Sequence, residues 1–350
     1  MRIVVLAGGT STERDVSISS GILVAGALRK KGHEVVLLDI YTGYEQDILD
    51  VDELFKINYS FTGKINVGES VGDTISDIEE VKENRRNKSE RYIGESVIDI
   101  CDFADITFLA LHGGAGENGQ VQAAFDLLGI KYTGSGYFGS ALAMNKGLTK
   151  SVLIQNKVLT PGGKIYKTAE EAMEWNSFPC VVKPCSGGSS VGITIARNAE
   201  EFADSVKEAL SYGEDEIVVE EYIKGREFSV GLLGGKALPP IEIIPKEGFY
   251  DYRTKYQAGA AEDVCPADIT PEEDKKLRKA AEDTFRALRL ESYARVDFIL
   301  DGEGNPYCLE ANTLPGMTPT SLLPQEARAE GMEYADLCEK IIEISMERYK

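Results

Sequence analysis

The sequence predicts a mixed α/β and α+β protein that opens on an N-terminal open parallel α/β domain, and three observations carry that expectation. Residues 1–9 contain the continuous apolar run IVVLA ending on a Gly-Gly turn, the pattern of a strand buried on both faces. Residues 18–31 show helical spacing that stops at Gly32, and HEVVLLDIY supplies a second buried strand. Strand, helix and strand in that order imply a parallel crossover. At 350 residues the chain exceeds one ordinary core and should divide into two or three domains.

The remaining elements follow along the chain. His33, beside the helix-stopping glycine, reads as structural. Over residues 44–96 the pattern decays into NVGESVGDTISDIEEVKENRRNKSERY, a polar and charged stretch read as a variable surface excursion. Order returns with DITFLALHGG, a strand running into a glycine loop, and with the helix VQAAFDLLG, so the first domain should end near residues 134–139. A helical segment, SALAMNKGLTKSVLIQNK, starts the next domain, and the strand FPCVVKP follows it. The stretch EIVVEEYIKGREFSVGLL reads as two strands around a short glycine-containing turn. Thr270-Pro271-Glu272-Glu273 combines an N-cap, a first-turn proline and acids at the positive end of the helix dipole. The helix it opens repeats Leu277, Ala281, Phe285 and Leu288 on one face, and residues 337–349 form an amphipathic helix that closes the chain.

Composition excludes several function classes. Acidic residues number 58 against 38 basic ones, a formal net charge of −20, which argues against nucleic-acid binding because that affinity depends on lysine and arginine. An anionic substrate would need a local island of positive charge. Six cysteines without a CxxC pair and only two histidines support neither a disulfide framework nor a structural zinc site. The expectation is a reduced, cytoplasmic protein. IVVLA is too short for a signal-peptide core or a membrane span, and no segment approaches about 20 apolar residues.

Two stretches carry chemistry. In KPCSGGSSVGI, Lys183 precedes a glycine-serine run, the reverse of a Walker loop, yet a cation beside a loop rich in N–H and hydroxyl donors is suited to phosphate oxygens. In YARVDFILDGEGNPYCLEANT, two alternating runs flank a turn and should pair as a hairpin. Val296, Phe298 and Leu300 alternate with Arg295, Asp297 and Ile299. Tyr307, Leu309 and Ala311 alternate with Cys308, Glu310 and Asn312. One face is apolar, and the other gathers Arg295, Asp297, Glu310 and Asn312. That polar face reads either as a magnesium site completed by phosphate and water or as a solvated face with an Arg-Asp pair. The phosphate-loop lysine favours the first reading, and the loop TLPGMTPTSLLP after Asn312 offers donors for an oxyanion or a carboxylate.

The chain resembles the D-alanine–D-alanine ligases of the ATP-grasp superfamily. The resemblance rests on GGTSTERDVS, LHGGAGENGQVQ, ALAMNKGLTK, VVKPCSGGSSVGI, VEEYIKGREF, FYDYRTKY, VCPA, ARVDF and LEANTLPGMTPTSLLP, in the family's order, and covers nearly all of the chain except residues 44–96. It implies a three-domain ATP-grasp fold: an N-terminal α/β substrate domain (1–136, with the excursion at 44–96), a central subdomain (137–218) and a C-terminal subdomain (219–350) with the magnesium site and a lid loop. It also implies the ATP-dependent joining of two D-alanines through an acylphosphate, supplying peptidoglycan precursors for cell wall and cell shape. Two magnesium ions, replaceable by manganese, are implied, with potassium a further candidate, and so is a homodimer.

The same resemblance places residues. Lys146, Lys183 and Lys255 match phosphate-binding positions, and Asp297, Glu310 and Asn312 match the magnesium ligands. Glu220 and Glu227 match nucleotide positions, although isolated acids there are more often exposed hairpin residues. Glu13 matches the partner of the first D-alanine's ammonium, linked through Ser189 to Tyr256; alone it reads as a helix N-terminal acid. Arg295 and the Gly316 N–H match the oxyanion donors, Ser321 the second D-alanine's carboxylate, and His112 a position bordering the substrate. Glu221 stands where some relatives carry lysine, Cys185 flanks the phosphate loop, and Asn118 replaces a common aspartate. QAGAAEDVCPAD, after Tyr256, reads as the lid. D-serine or D-lactate as second substrate, or a regulatory relative that binds ATP without turnover, are the alternatives.

Overall fold

The structure, a computed structural model, describes residues 1–46, 50–61, 77–188, 192–212, 216–245 and 261–350. Three sheets organise them. In the first, β1 (Arg2–Ala7), β2 (Glu34–Asp39) and β3 (Ile106–Leu109) are parallel in the order β2-β1-β3, with Ile3 beside both Val35 and Ile106. Ile3 through Ala7 are all fully buried, as the uninterrupted apolar run requires of a central parallel strand. The crossover helix Arg14–Lys30 begins four residues before the apolar periodicity does, because Arg14 is itself buried against Asp39.

The second sheet is antiparallel, with β4 (Gly163–Tyr166), β5 (Cys180–Pro184), β6 (Thr194–Ala196) and β7 (Ile217–Glu221) in the order β4-β7-β5-β6. The third contains β8 (Gly225–Leu233), β9 (Lys236–Ala237), β10 (Ile241–Pro245), β11 (Ala261–Val264), β12 (Tyr293–Asp301) and β13 (Pro306–Asn312), ordered β11-β10-β8-β12-β13 with β9 on β8. The expected strand pair around YIKGR is therefore corrected. β7 and β8 lie in different sheets, so the turn carries the chain from one sheet to the next rather than closing a hairpin. The 218/219 boundary expected from sequence falls inside β7.

Three further readings are refined. The expected single helix after residue 139 is two, Tyr137–Met144 and Lys146–Gln155, broken where Asn145 turns extended and its side chain accepts the Leu148 N–H. Part of the 44–96 excursion is core rather than surface, since the helix Val51–Lys56 buries Leu54 and Phe55 and Arg85 is buried with its guanidinium 4.3 Å from the Tyr41 ring. The helix Tyr334–Glu347 packs on Arg14–Lys30, and its Leu337, Cys338, Ile341 and Ile342 join the core of the first sheet. His33, as expected, is structural, with Nε2 at 3.3 Å from Glu339 of that helix. Thr270 caps the helix Pro271–Ala287 in a reciprocal capping box with Glu273, and Leu277, Ala281, Phe285 and Leu288 face the core beneath the third sheet.

Candidate active site

The hairpin of β12 and β13 pairs Arg295 with Asn312 and Asp297 with Glu310, so the four polar residues share one face as the alternation requires. A bulge follows Asp297: Phe298 pairs with Cys308, leaving Leu309 as the extra residue. Cys308 consequently joins Phe298 and Leu300 in the core, which corrects its placement beside Glu310. Asp297 is 5% exposed and fully engaged. Its Oδ1 accepts from Arg295 Nε at 2.9 Å and Ser229 Oγ at 2.7 Å, and its Oδ2 from Arg295 Nη2 at 2.8 Å and Asn312 Nδ2 at 3.1 Å.

This donor set has a definite capacity for a metal. Among the described residues no group of three His, Cys, Asp or Glu side chains stands together, so the face offers two carboxylates and one amide. Half a turn of the Asn312 amide presents its oxygen in place of its nitrogen. Such a set leaves up to half the positions of an octahedral ion open, which fits magnesium bound jointly with phosphate oxygens and water.

Lys146 links this face to the phosphate loop. It is the first residue of its helix, its backbone N–H donates to Cys185 O at 2.7 Å, its ammonium donates to Gly187 O at 2.6 Å, and Glu310 Oε2 lies 3.6 Å away. Lys183, on β5, points to Glu220 on β7. Glu220 is not an exposed hairpin acid: it is 2% exposed and receives Lys183 on Oε1 and Lys150 on Oε2, the latter at 2.9 Å. Burial alone would raise the Glu220 carboxyl, but Lys183 and Lys150 outweigh it and hold the group below the usual carboxylate range. Glu227 lies across the sheet boundary, on β8 between Ile243 and Ile299.

Around the substrate positions, Glu13 caps the first turn of its helix through its carbonyl, which accepts the Ser17 N–H at 3.0 Å. Its carboxylate comes so near two loops that a Cβ at Gly113 would stand 2.6 Å from Oε2 and one at Gly188 3.0 Å. Gly113 also has φ +64, so both the backbone and the carboxylate demand glycine there. Gly188 directly precedes Ser189, which lies outside the described residues, as do Lys255 and Tyr256.

His112 and Glu117 grip one residue of the C-terminal loop from two sides. His112 Nδ1 lies 2.9 Å from Leu314 O, which can only accept, so Nδ1 carries the proton and Nε2 accepts from Ser20 Oγ at 3.2 Å. Burial lowers the His112 pKa, Glu13 opposes that, and Arg295 adds to it. Glu117 accepts the Gly113 N–H at 3.0 Å and the Leu314 N–H at 3.3 Å. The residue as a whole is half-buried, but the carboxyl is turned inward, and burial followed by the nearby Glu13 pushes its pKa up to about 7. Leu314 lies midway between Asn312 and Gly316. A Cβ at Gly316 would be 2.8 Å from Ser321 Oγ, which bonds Thr318 Oγ1 at 2.8 Å and leaves its own helix, Leu322–Ala329, without a side-chain cap.

The structure thus brings together Lys146, Asp297, Glu310, Asn312 and Arg295, and separately groups Glu13, His112, Gly316 and Ser321 around the two loops that Leu314 joins. Sequence reasoning missed Lys150, whose i+4 spacing from Lys146 was the available signal, and Glu117, whose partner is 197 residues away.

A family model described as "D-ala D-ala ligase N-terminus" matches residues 2–135, and one described as "D-ala D-ala ligase C-terminus" matches residues 152–343. A D-alanine--D-alanine ligase of Pediococcus pentosaceus is 43% identical over 346 residues, covering 98% of this chain and 97% of that protein. One of Lacticaseibacillus casei is 42% identical over 352 residues, covering 100% and 97%. Among solved structures, the Bacillus anthracis D-alanine--D-alanine ligase complexed with ATP superposes with a TM-score of 0.73 at 30% identity, covering 99% of this chain and 97% of that one. The Coxiella burnetii enzyme superposes with a TM-score of 0.75 at 27% identity, covering 100% and 94%.

Proposed function

The chain belongs to the D-alanine–D-alanine ligase family, and from that premise we propose that it joins two D-alanines with ATP through a D-alanyl phosphate. A carboxylate oxygen of the first D-alanine attacks the γ-phosphorus of ATP, and ADP leaves. The amine of the second, having lost a proton, attacks the acyl carbon. The tetrahedral intermediate then expels inorganic phosphate and leaves the dipeptide, which serves as a peptidoglycan precursor.

Each step needs charge placed in advance, since phosphoryl and acyl transfer depend on positioning and electrostatics. In this reading Lys146, Lys183 and Lys255 hold phosphates while Glu220 and Glu227 line the nucleotide. Glu13 receives the first D-alanine's ammonium, steadied through Ser189 and Tyr256, and His112 borders that substrate. Arg295 and the Gly316 N–H face the oxyanion, and Ser321 receives the second carboxylate. Magnesium, held by Asp297, Glu310 and Asn312 with phosphate oxygens, would neutralise charge on the transferring group. The reading extends to a three-domain division with one boundary at 136 and the other moved from 218 to the turn after β7, to a cytoplasmic homodimer, and to two magnesium ions with manganese as substitute and potassium as a further cation. Among the described residues no helix is long and apolar enough to cross a membrane.

The observation that carries the reading is the position of the Lys146 ammonium, bonded to the glycine loop on one side and 3.6 Å from the carboxylate hairpin on the other. Phosphates entering there would meet a cation and a metal face together. The test is product identification by mass spectrometry after incubating the protein with ATP, magnesium and equal D-alanine, D-serine and D-lactate. D-alanyl-D-alanine as the main product supports the reading. A mixed dipeptide or an ester as the main product moves the second-substrate assignment, and ATP binding without any product makes the chain a regulatory relative.

A further inference from the structure

The helix Lys146–Gln155 presents a second lysine that the proposed reaction does not use. Lys150 stands one turn beyond Lys146 on the same face and is 7% exposed. Its ammonium donates to Thr160 Oγ1 at 3.1 Å, to the Pro161 carbonyl, and to Glu220 Oε2 at 2.9 Å. The other Glu220 oxygen belongs to Lys183, itself 5% exposed. Among the described residues, two buried ammonium groups therefore share one buried carboxylate, a local positive surplus inside a protein of net charge −20. Holding an unbalanced buried charge is costly unless an opposite charge is expected. A bound phosphate is such a charge.

We propose that Lys150 is a positioning residue of the nucleotide site, which secures one oxygen of Glu220 so that Lys183 is left half-neutralised and able to meet a phosphate. This rests on the reading of Lys183 as a phosphate-binding residue. Without Lys150, Oε2 of Glu220 is stranded in the interior and Lys183 is the cation nearest to it. The carboxylate then claims Lys183 with both oxygens, and an incoming phosphate must compete for it. Lys150 touches no substrate in this scheme. It acts through Glu220.

The variants are Lys150→Met, which keeps the unbranched chain and removes the charge, and Lys150→Arg, which keeps the charge. Calorimetric titration with ADP, which bears phosphates, and with adenosine, which bears none, separates electrostatic from steric effects. Lys150→Met should weaken ADP binding about tenfold or more, a difference of about 1.4 kcal/mol per tenfold, and weaken adenosine binding by a clearly smaller factor, since adenosine meets Glu220 but brings no phosphate to Lys183. The KM for ATP should rise in parallel while turnover at saturating ATP holds, and Lys150→Arg should recover part of the ADP affinity. Equal weakening of ADP and adenosine would reduce Lys150 to a packing residue and overturn the proposal, as would unchanged ADP affinity. Should Lys150→Met fold poorly, the comparison of Glu220→Gln with Glu220→Gln/Lys150→Met decides: with no carboxylate left to strand, the second substitution should cost no further ADP affinity, and an additional loss overturns the proposal. Unaltered protein that fails to bind ADP at all would sink the nucleotide-site reading itself, which is a different result from any of these.

Discussion

Replacing Glu117 by glutamine should give a stability deficit that depends on pH in a direction fixed by the structure. The carboxyl accepts two N–H groups, from Gly113 and Leu314, and so fastens the glycine loop after β3 to the loop after β13. Glutamine has one acceptor oxygen, so one N–H loses its partner and faces an amide nitrogen, at a cost of about 1 to 3 kcal/mol. That cost does not change with pH. The wild-type carboxyl brings a second, pH-dependent contribution. Burial raises it from the ordinary 4.5 to about 7, so the fold favours its protonated form. Stabilisation from this source is complete below pH 4.5 and is lost as pH rises through about 7. The full gap corresponds to about 3 kcal/mol at 1.36 kcal/mol per pH unit, and about 1 to 2 kcal/mol is expected once solvent beside this half-buried residue screens it.

Glu117→Gln lacks that contribution, so its deficit against wild type should be largest near pH 5 and should shrink by about 1 to 2 kcal/mol by pH 8. Urea unfolding followed by circular dichroism at pH 5, 6, 7 and 8 measures it, and the difference between the two proteins cancels the titrating groups that do not interact with Glu117. A deficit that stays constant from pH 5 to pH 8 would refute the reasoning, because it would mean that the carboxyl is not held in a desolvated junction between the two loops.

Two other outcomes follow from the site. Lys183→Ala should lower turnover with ATP about 100-fold or more while the fold persists, since Glu220 retains Lys150; activity near wild type at saturating ATP would remove Lys183 from the phosphate site. Asp297→Asn and Glu310→Gln should each raise the magnesium concentration needed for half-maximal rate, whereas Glu303→Gln, in the exposed turn of the same hairpin, should not. All three remove one negative charge, so equal behaviour would attribute the effect to bulk electrostatics.

How much of this was legible in the sequence depends on the range of the interaction that decides it. The polar face of Arg295, Asp297, Glu310 and Asn312 was legible because alternation along two adjacent strands is local, and the pairing of Asp297 with Glu310 follows it. The bulge that moves Cys308 into the core was not, since nothing in CLEAN marks the extra residue and packing against Phe298 and Leu300 selects it. Lys183 reads as a phosphate cation from the sequence, but its burial against Glu220 depends on β5 and β7 pairing between residues 35 positions apart, with Val218 opposite Lys183 and Glu220 two residues further on the same face. The same limit hid the role of Leu314, whose carbonyl and N–H are held by two side chains 202 and 197 positions earlier in the chain. Likewise the separation of β7 from β8 into different sheets could not be read from YIKGR, because a short glycine turn serves a hairpin and a sheet crossing equally well.

The central claim is that ATP activates the carboxylate of the first D-alanine as an acylphosphate, and oxygen transfer tests it most directly. D-alanine labelled with ¹⁸O in its carboxylate is incubated with the protein, ATP and magnesium, and the released inorganic phosphate is analysed by mass spectrometry. Attack of a carboxylate oxygen on the γ-phosphorus, followed by expulsion of phosphate by the second amine, places one labelled oxygen in each phosphate released with dipeptide. Dipeptide formed alongside unlabelled phosphate would contradict the account, since the carboxylate oxygen would then never have bonded to phosphorus.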